Sequence, residues 1–194
     1  MEGALIVIPK EVPGQWYRDF LPSQVKPSSM DDASGPAIVY HPIGTIHSPF
    51  SDIAGMPIQP NGARGVQGTI ELEPGLCGGL TDLGGFSRII LLYALHRCSG
   101  YSLKVTPFLD PVPRGVFATR SPKRPNAIGL SVVRLTGIDG CTLSIEDVDV
   151  LDGTPLLDIK PYVPAFDSYP DKRCGWLEPV AHNAHHTRSD DRFR

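Results

Sequence analysis

The chain has 194 residues, 41% hydrophobic and 20% charged, with a net charge of −3 at neutral pH. That length suits one domain with a full core plus appendages. The near-balanced charge excludes a protein that coats nucleic acid nonspecifically, and no apolar run approaches the roughly 20 residues of a membrane helix. Twenty Gly and twenty Pro, scattered and not periodic, predict many short strands and turns in place of long helices.

Residues 1–35 open on an apolar stretch, Ala4 to Ile8, then turn rich in Pro, Ser and Asp, and read as an N-terminal extension and linker. They carry no secretory signal pattern. Cys77, Cys98, Cys141 and Cys174 stand far apart with no C-x-x-C pair, so reduced thiols, a cytoplasmic setting and no metal site are expected. From 36 to 180 the pattern is that of one folded domain. Ala37–Tyr40 and Ile43–Ile46 read as a strand broken at Pro42. Met56-Pro57-Ile58-Gln59-Pro60 follows, as a flap against a ligand or a plain surface loop. Val66–Leu72 alternates as a half-buried strand does. Leu76–Gly85 has room for a helical turn. Arg88–Leu95 is apolar after its first residue and, with Ile, Ile and Tyr, reads as a central strand that leaves His96 and Arg97 at its end. Leu103–Val105 is a further short strand.

The segment 114–131 is the most informative. Val116–Ala118 reads as a strand running into a loop stiffened by Pro122 and Pro125, and a second apolar run starts at Ile128. Between Asp110 and Asp139 stand five basic residues and no acid, which suits an anionic ligand such as a carboxylate or a phosphate. From Asp139 to Asp171 the balance reverses, with eight acids against Lys160 alone, suggesting a separate acidic face. Cys141–Val150 alternates, and Asp152-Gly153 before Leu156–Tyr162 is a hairpin signal. Residues 181–194 read as a solvated polar tail.

Seven to nine short strands with little helix describe a mainly β protein, an antiparallel barrel or sandwich. No G-x-G-x-x-G, Walker A, H-E-x-x-H or G-x-S-x-G motif is present. A Rossmann-type nucleotide site is therefore not expected.

The signature Gly115-Val116-Phe117-Ala118-Thr119-Arg120-Ser121-Pro122, with Arg124-Pro125-Asn126 and Ile128-Gly129-Leu130-Ser131, resembles that of the TsaA-like (TrmO) family. Three more blocks agree in order: Ile43 to Phe50, Phe86 to His96, and Asp149 to Pro164. The resemblance implies a small antiparallel non-Rossmann β-barrel with short helical turns. It implies a homodimer that binds S-adenosylmethionine near the subunit interface and methylates the exocyclic amine of threonylcarbamoyl-adenosine beside the anticodon of a tRNA. It also implies a donor-binding set of Pro57, Ile58, Gln59, His96, Arg97, Arg120, Leu130, Asp152, Gly153 and Thr154. Asp152 or His96 would be the general base, and Arg114, Lys123 and Arg124 the contacts to tRNA phosphates. The alternatives are a donor- or RNA-binding barrel without turnover, and a methyltransferase with another substrate.

Overall fold

Alternation of side chains along each strand dictates the architecture, because every strand has one apolar face to bury. In the computed structural model, residues 38–171 and 173–193 are described; the expected extension at 1–35 lies outside them. Six strands form a closed antiparallel barrel: β1 (Gly44–His47), β2 (Gln67–Leu72), β3 (Arg88–Ala94), β6 (Ile128–Asp139), β7 (Thr142–Glu146) and β8 (Thr154–Pro161). They run in the order β1-β2-β7-β6-β3-β8, and β8 returns to β1 through Ile46↔Thr154 and Gly44↔Leu156. Two short strands, β4 (Lys104–Val105) and β5 (Arg114–Gly115), pair outside the barrel. One helical turn, α1 (Pro164–Asp167), follows β8. Closure leaves the barrel without an open edge.

The barrel interior is filled by Ile46, Ile70, Ile89, Leu91, Tyr93, Val133, Leu143, Ile145 and Leu156, all buried. The run read as continuously apolar resolves into alternation, with Ile89, Leu91 and Tyr93 inside and their neighbours half-buried. β3 lies between β6 and β8, the central position expected of it. Opposite Tyr93 in the register stands Gly129. A Cβ there would meet Tyr93 Cε2 at 2.1 Å, so the phenol ring lies flat over a position only glycine can occupy. Gly129→Ala is therefore expected to lower stability by about 1–3 kcal/mol, the range for overpacking a core. Urea denaturation would show it as a lower midpoint with an unchanged slope.

Several expectations need correction. Of the expected strand Ala37–Tyr40, Ala37 lies outside the described residues, and Ile38 makes only an isolated bridge before the chain runs irregularly to β1. Val116–Ala118 is a 3₁₀ turn and not a strand. Arg124 Nη1 donates to the carbonyls of Val116 (3.2 Å) and Thr119 (2.8 Å), gathering oxygens that an extended segment would hold apart. Asp152-Gly153 is a bend with Gly153 at φ +73°, but it joins no hairpin, since β7 pairs with β2 and β6 whereas β8 pairs with β1 and β3. The hairpin lies at β6–β7 instead, where Asp139 pairs with Thr142 across Gly140 at φ +57°.

Nor are the thiols all reduced: Cys77 and Cys141 form a disulfide, and Cys98 and Cys174 stay as thiols. Their 64-residue separation concealed it. Pairing of Glu71 with Thr142 carries the chain after β2 past the β6–β7 turn, and the two Cα atoms come within 5.0 Å.

The acids do not form one face. Asp147 bonds Arg88 Nη2 at 3.0 Å and accepts from the Gly65 N–H, Asp149 faces a cavity, and Asp158 pairs with Lys160. Burial pushes the Asp147 carboxyl up, yet the Gly65 N–H and the Arg88 guanidinium outweigh it and hold it below the usual range.

The terminal segment is exposed along most of its described length, as expected of a polar tail, but its end is docked. Phe193 is buried, meeting Phe108 edge-on at 5.1 Å beside Val105 and Val116. Arg192 lies 4.8 Å over Phe108 and donates to the Pro107 carbonyl at 2.9 Å. Two residues carry this docking amid polar neighbours, which is why composition alone misread it.

Candidate functional site

At the end of the barrel where β3 finishes and β6 and β8 begin, a cavity of about 410 Å³ opens. That is within the range of sites for cofactor-sized ligands. Its floor is Tyr93, Gly129, Asp149 and Thr154, and its far wall is Leu95, His96 and Arg97 beyond β3. Thr119, Arg120, Pro122 and Arg124 close it from the basic loop, and Met56–Gln59 cover it as the flap.

The terminal segment holds the flap down. Gly55 N–H donates to Ser189 O and Ser189 N–H to Met56 O, both at 2.9 Å. The Ser189 hydroxyl bonds the carbonyls of Ile53 and Met56, and Pro57 bridges Arg188. Ser189 and Phe193 also line the cavity. A segment outside the resembling blocks thus completes the site.

On the floor, Ser131 Oγ donates to Asp149 Oδ1 at 2.6 Å and contacts the Tyr93 hydroxyl at 3.0 Å. Because the serine proton is spent on the carboxylate, the tyrosine donates to the serine. Burial pushes the Asp149 carboxyl up to about 6, against the opposing pull of the Ser131 hydrogen bond and the Arg120 charge. Burial likewise raises the Tyr93 phenol, with the Asp149 charge adding to it. His96 is shifted the other way: burial first, then the Arg97 charge, lowers it, partly offset by a bond to the Ala94 backbone.

The expected donor-binding residues separate into two groups. Pro57, Ile58, Gln59, His96, Arg97, Arg120, Leu130 and Thr154 all line the cavity. Arg120 Nη1 donates to Gln59 Oε1 at 2.6 Å, latching loop to flap across the mouth. Asp152 and Gly153 are not among the lining residues. Asp152 instead accepts from the Ser48 N–H (3.1 Å) and meets His47 Nδ1 (3.2 Å), bracing the β1 end against the bend.

The three residues expected to touch phosphate are largely engaged within the protein. Arg114 pairs with Asp110 and lies 5.7 Å from the Trp176 ring. Arg124 binds loop carbonyls and also lines the cavity. Lys123 Nζ donates to Ser99 O at 3.0 Å, beside a second, open cavity of about 380 Å³.

Asp149 was missed. An acid between Val148 and Val150 in an alternating run reads as a solvent-facing position. Only the flap and loop closing over that barrel end turn its face into a cavity wall.

A sequence profile of the tRNA-methyltransferase O N-terminal domain matches residues 45–168. A protein of Pyrococcus abyssi described as a probable S-adenosyl-L-methionine-binding protein is 52% identical over 156 residues, covering 80% of this chain and 85% of its own. The mouse tRNA (adenine(37)-N6)-methyltransferase is 36% identical over 138 residues, covering 68% of this chain but 32% of the mouse protein. The crystal structure of TrmO from Pseudomonas aeruginosa superposes with a TM-score of 0.60 at 42% identity, covering 71% of this chain and 61% of that one. The chain thus spans most of the archaeal relative, about three fifths of the crystallised one and about a third of the mouse enzyme.

Proposed function

The chain belongs to the tRNA-methyltransferase O family, and we propose that it transfers a methyl group from S-adenosylmethionine to the exocyclic amine of an adenosine in tRNA. Threonylcarbamoyl-adenosine beside the anticodon is the finer substrate of the same reading.

The observation that carries it is the cavity, whose walls match the donor part by part. Arg120 presents a guanidinium at the mouth that can fork onto a carboxylate. Pro57, Ile58 and Leu130 offer apolar surface for an adenine. Asp149, an acidic group on the floor, stands apart from these and is left for the methyl-accepting amine. When bound, S-adenosylmethionine supplies a methyl carbon already activated by its positively charged sulfur. The protein's share is then orientation and water exclusion: the flap, latched by Gln59–Arg120 and pinned by Ser189, covers the reacting centre.

The RNA strand needs a path to this mouth. The open cavity beside it shares Phe193 with the first and is lined by Lys104, Lys123 and an Arg192 that pairs with Asp190, next to the exposed ring of Tyr101. Phosphates fit there better than at Arg114. A homodimer belongs to the same reading, because Leu130 is exposed on the cavity wall and Phe117, Leu103 and Val112 are exposed too. A second copy would cover such a surface.

The decisive experiment incubates the full chain with methyl-labelled donor and bulk tRNA, with and without the threonylcarbamoyl group. Label is expected in the modified tRNA. Donor binding without label in either pool would turn the reading to a binding barrel without turnover. Lys104→Ala with Lys123→Ala is expected to flatten the salt dependence of tRNA binding by about one unit of slope per lost phosphate contact, leaving donor affinity unchanged.

A further inference from the structure

We propose that Asp149 is the catalytic proton acceptor for the amine that becomes methylated, aimed by the hydrogen-bonded series Tyr93–Ser131–Asp149 on the cavity floor. The inference rests on the methyltransferase reading.

Among the described residues, Asp149 is the one carboxylate that lines the cavity, against Arg97, Arg120, Arg124 and His96. Both hydrogens of the series point toward it, so its orientation is set from β3 and β6 at once. A single such donor uses one of about four lone-pair sites, leaving the carboxylate able to accept from a substrate N–H. Asp152 lies outside this wall, occupied by Ser48 and His47. His96 lines the cavity, but protonating it would place a second cation beside Arg97 in a partly buried setting, which lowers its proton affinity. The same burial raises that of Asp149, because accepting a proton removes a charge from the floor. The charged and polar groups that bear on it are Arg120 from the loop, Tyr93 from β3 and Ser131 from β6.

The step balances. The amine nitrogen's electron pair forms the new N–C bond as the methyl C–S bond breaks, and that bonding pair stays on sulfur, which becomes neutral. The N–H proton passes to Asp149, giving a neutral methylated amine and a carboxylic acid that later releases its proton to water. Adenine's exocyclic nitrogen is weakly nucleophilic, and a positioned base contributes about 10²–10⁴-fold to such transfers.

Single-turnover methylation of tRNA by the full chain is expected to rise with pH around a midpoint near the Asp149 value of about 6. Asp149→Asn should lose that limb and about 10²-fold or more in rate. Donor affinity by calorimetry should change less than about threefold. Ser131→Ala removes a bond that lowers the carboxyl, so its midpoint should move up; this carries the test should Asp149→Asn not fold. Carboxyl-¹³C titration of the donor-free protein should place Asp149 at the same midpoint. An undiminished pH-dependent rate in Asp149→Asn, or an unmoved midpoint in Ser131→Ala, would overturn the inference alone. So would donor affinity falling in step with rate, since Asp149 would then be a ligand of the donor's cation. No transfer by the unaltered chain would overturn the methyltransferase reading and this inference with it.

Discussion

Arg120→Ala is expected to weaken S-adenosylmethionine binding by about 1.5–3 kcal/mol, the cost of losing a hydrogen bond to a charged group. That is roughly a 10- to 150-fold rise in Kd. Arg120 is exposed in the loop between Pro113 and Pro122 and lines the cavity mouth, where a ligand's carboxylate would meet it. Its exposure favours the lower half of the range, because water competes for the guanidinium in the free protein. The substitution also removes the 2.6 Å bond to Gln59, so the flap loses its latch. Gln59→Ala separates the two roles: it breaks the latch but keeps the charge, and should cost less. Arg120→Lys should recover only part of the affinity, because an ammonium cannot present two parallel donors. Calorimetry on the three variants gives the order Ala weakest, then Lys, then Gln59→Ala. Unchanged affinity in Arg120→Ala would move the carboxylate anchor to Arg97 or Arg124.

Removing the Cys77–Cys141 disulfide should produce the largest loss of stability. It closes a 64-residue loop, and cross-linking a loop of that length removes chain entropy worth about 4 kcal/mol from the unfolded state. It ties the 3₁₀ segment Pro74–Leu80, which has one buried residue, Leu80, to the β6–β7 turn. The Leu72 N–H to Cys141 O bond at 3.0 Å holds the same junction, so the fold should survive reduction with its cavity intact. Cys77→Ser with Cys141→Ser should unfold at lower denaturant and respond to no reductant, whereas Cys98→Ser should match the parent chain. Equal midpoints with and without reductant in the parent chain would show that the link contributes nothing. The cavity at the barrel end shares no described residue with this junction, so the effects of Arg120→Ala and of reduction should add.

Much of the barrel was legible in the chain because strand pattern is local. Period-two alternation in 66–72, β-forming residues in 88–95 and Gly or Pro between the runs are short-range signals, and they placed β2, β3 and the start of β6. The cavity-lining residues on the flap, the β3 end and the basic loop were legible for a different reason: a resemblance to a known family proposed ten residues for the donor, and the cavity gathers eight of them. The other two, Asp152 and Gly153, came from the same resemblance; they stand at a turn that is real at Gly153, with φ +73°, but a turn says nothing of which way the neighbouring carboxylate points.

By itself, the sequence determined a mainly β domain, its central strand, a Pro-stiffened cationic loop and the segments that would converge on a ligand. Only the tertiary structure decided that Asp149 and not Asp152 faces the cavity, that Cys77 meets Cys141, that Arg188 and Ser189 pin the flap, and that Arg114 and Arg124 are spent within the protein. All four depend on which strand lies beside which and on what closes the barrel's end. Contacts between residues tens of positions apart are set by the closure of the sheet and leave no periodic trace in the chain.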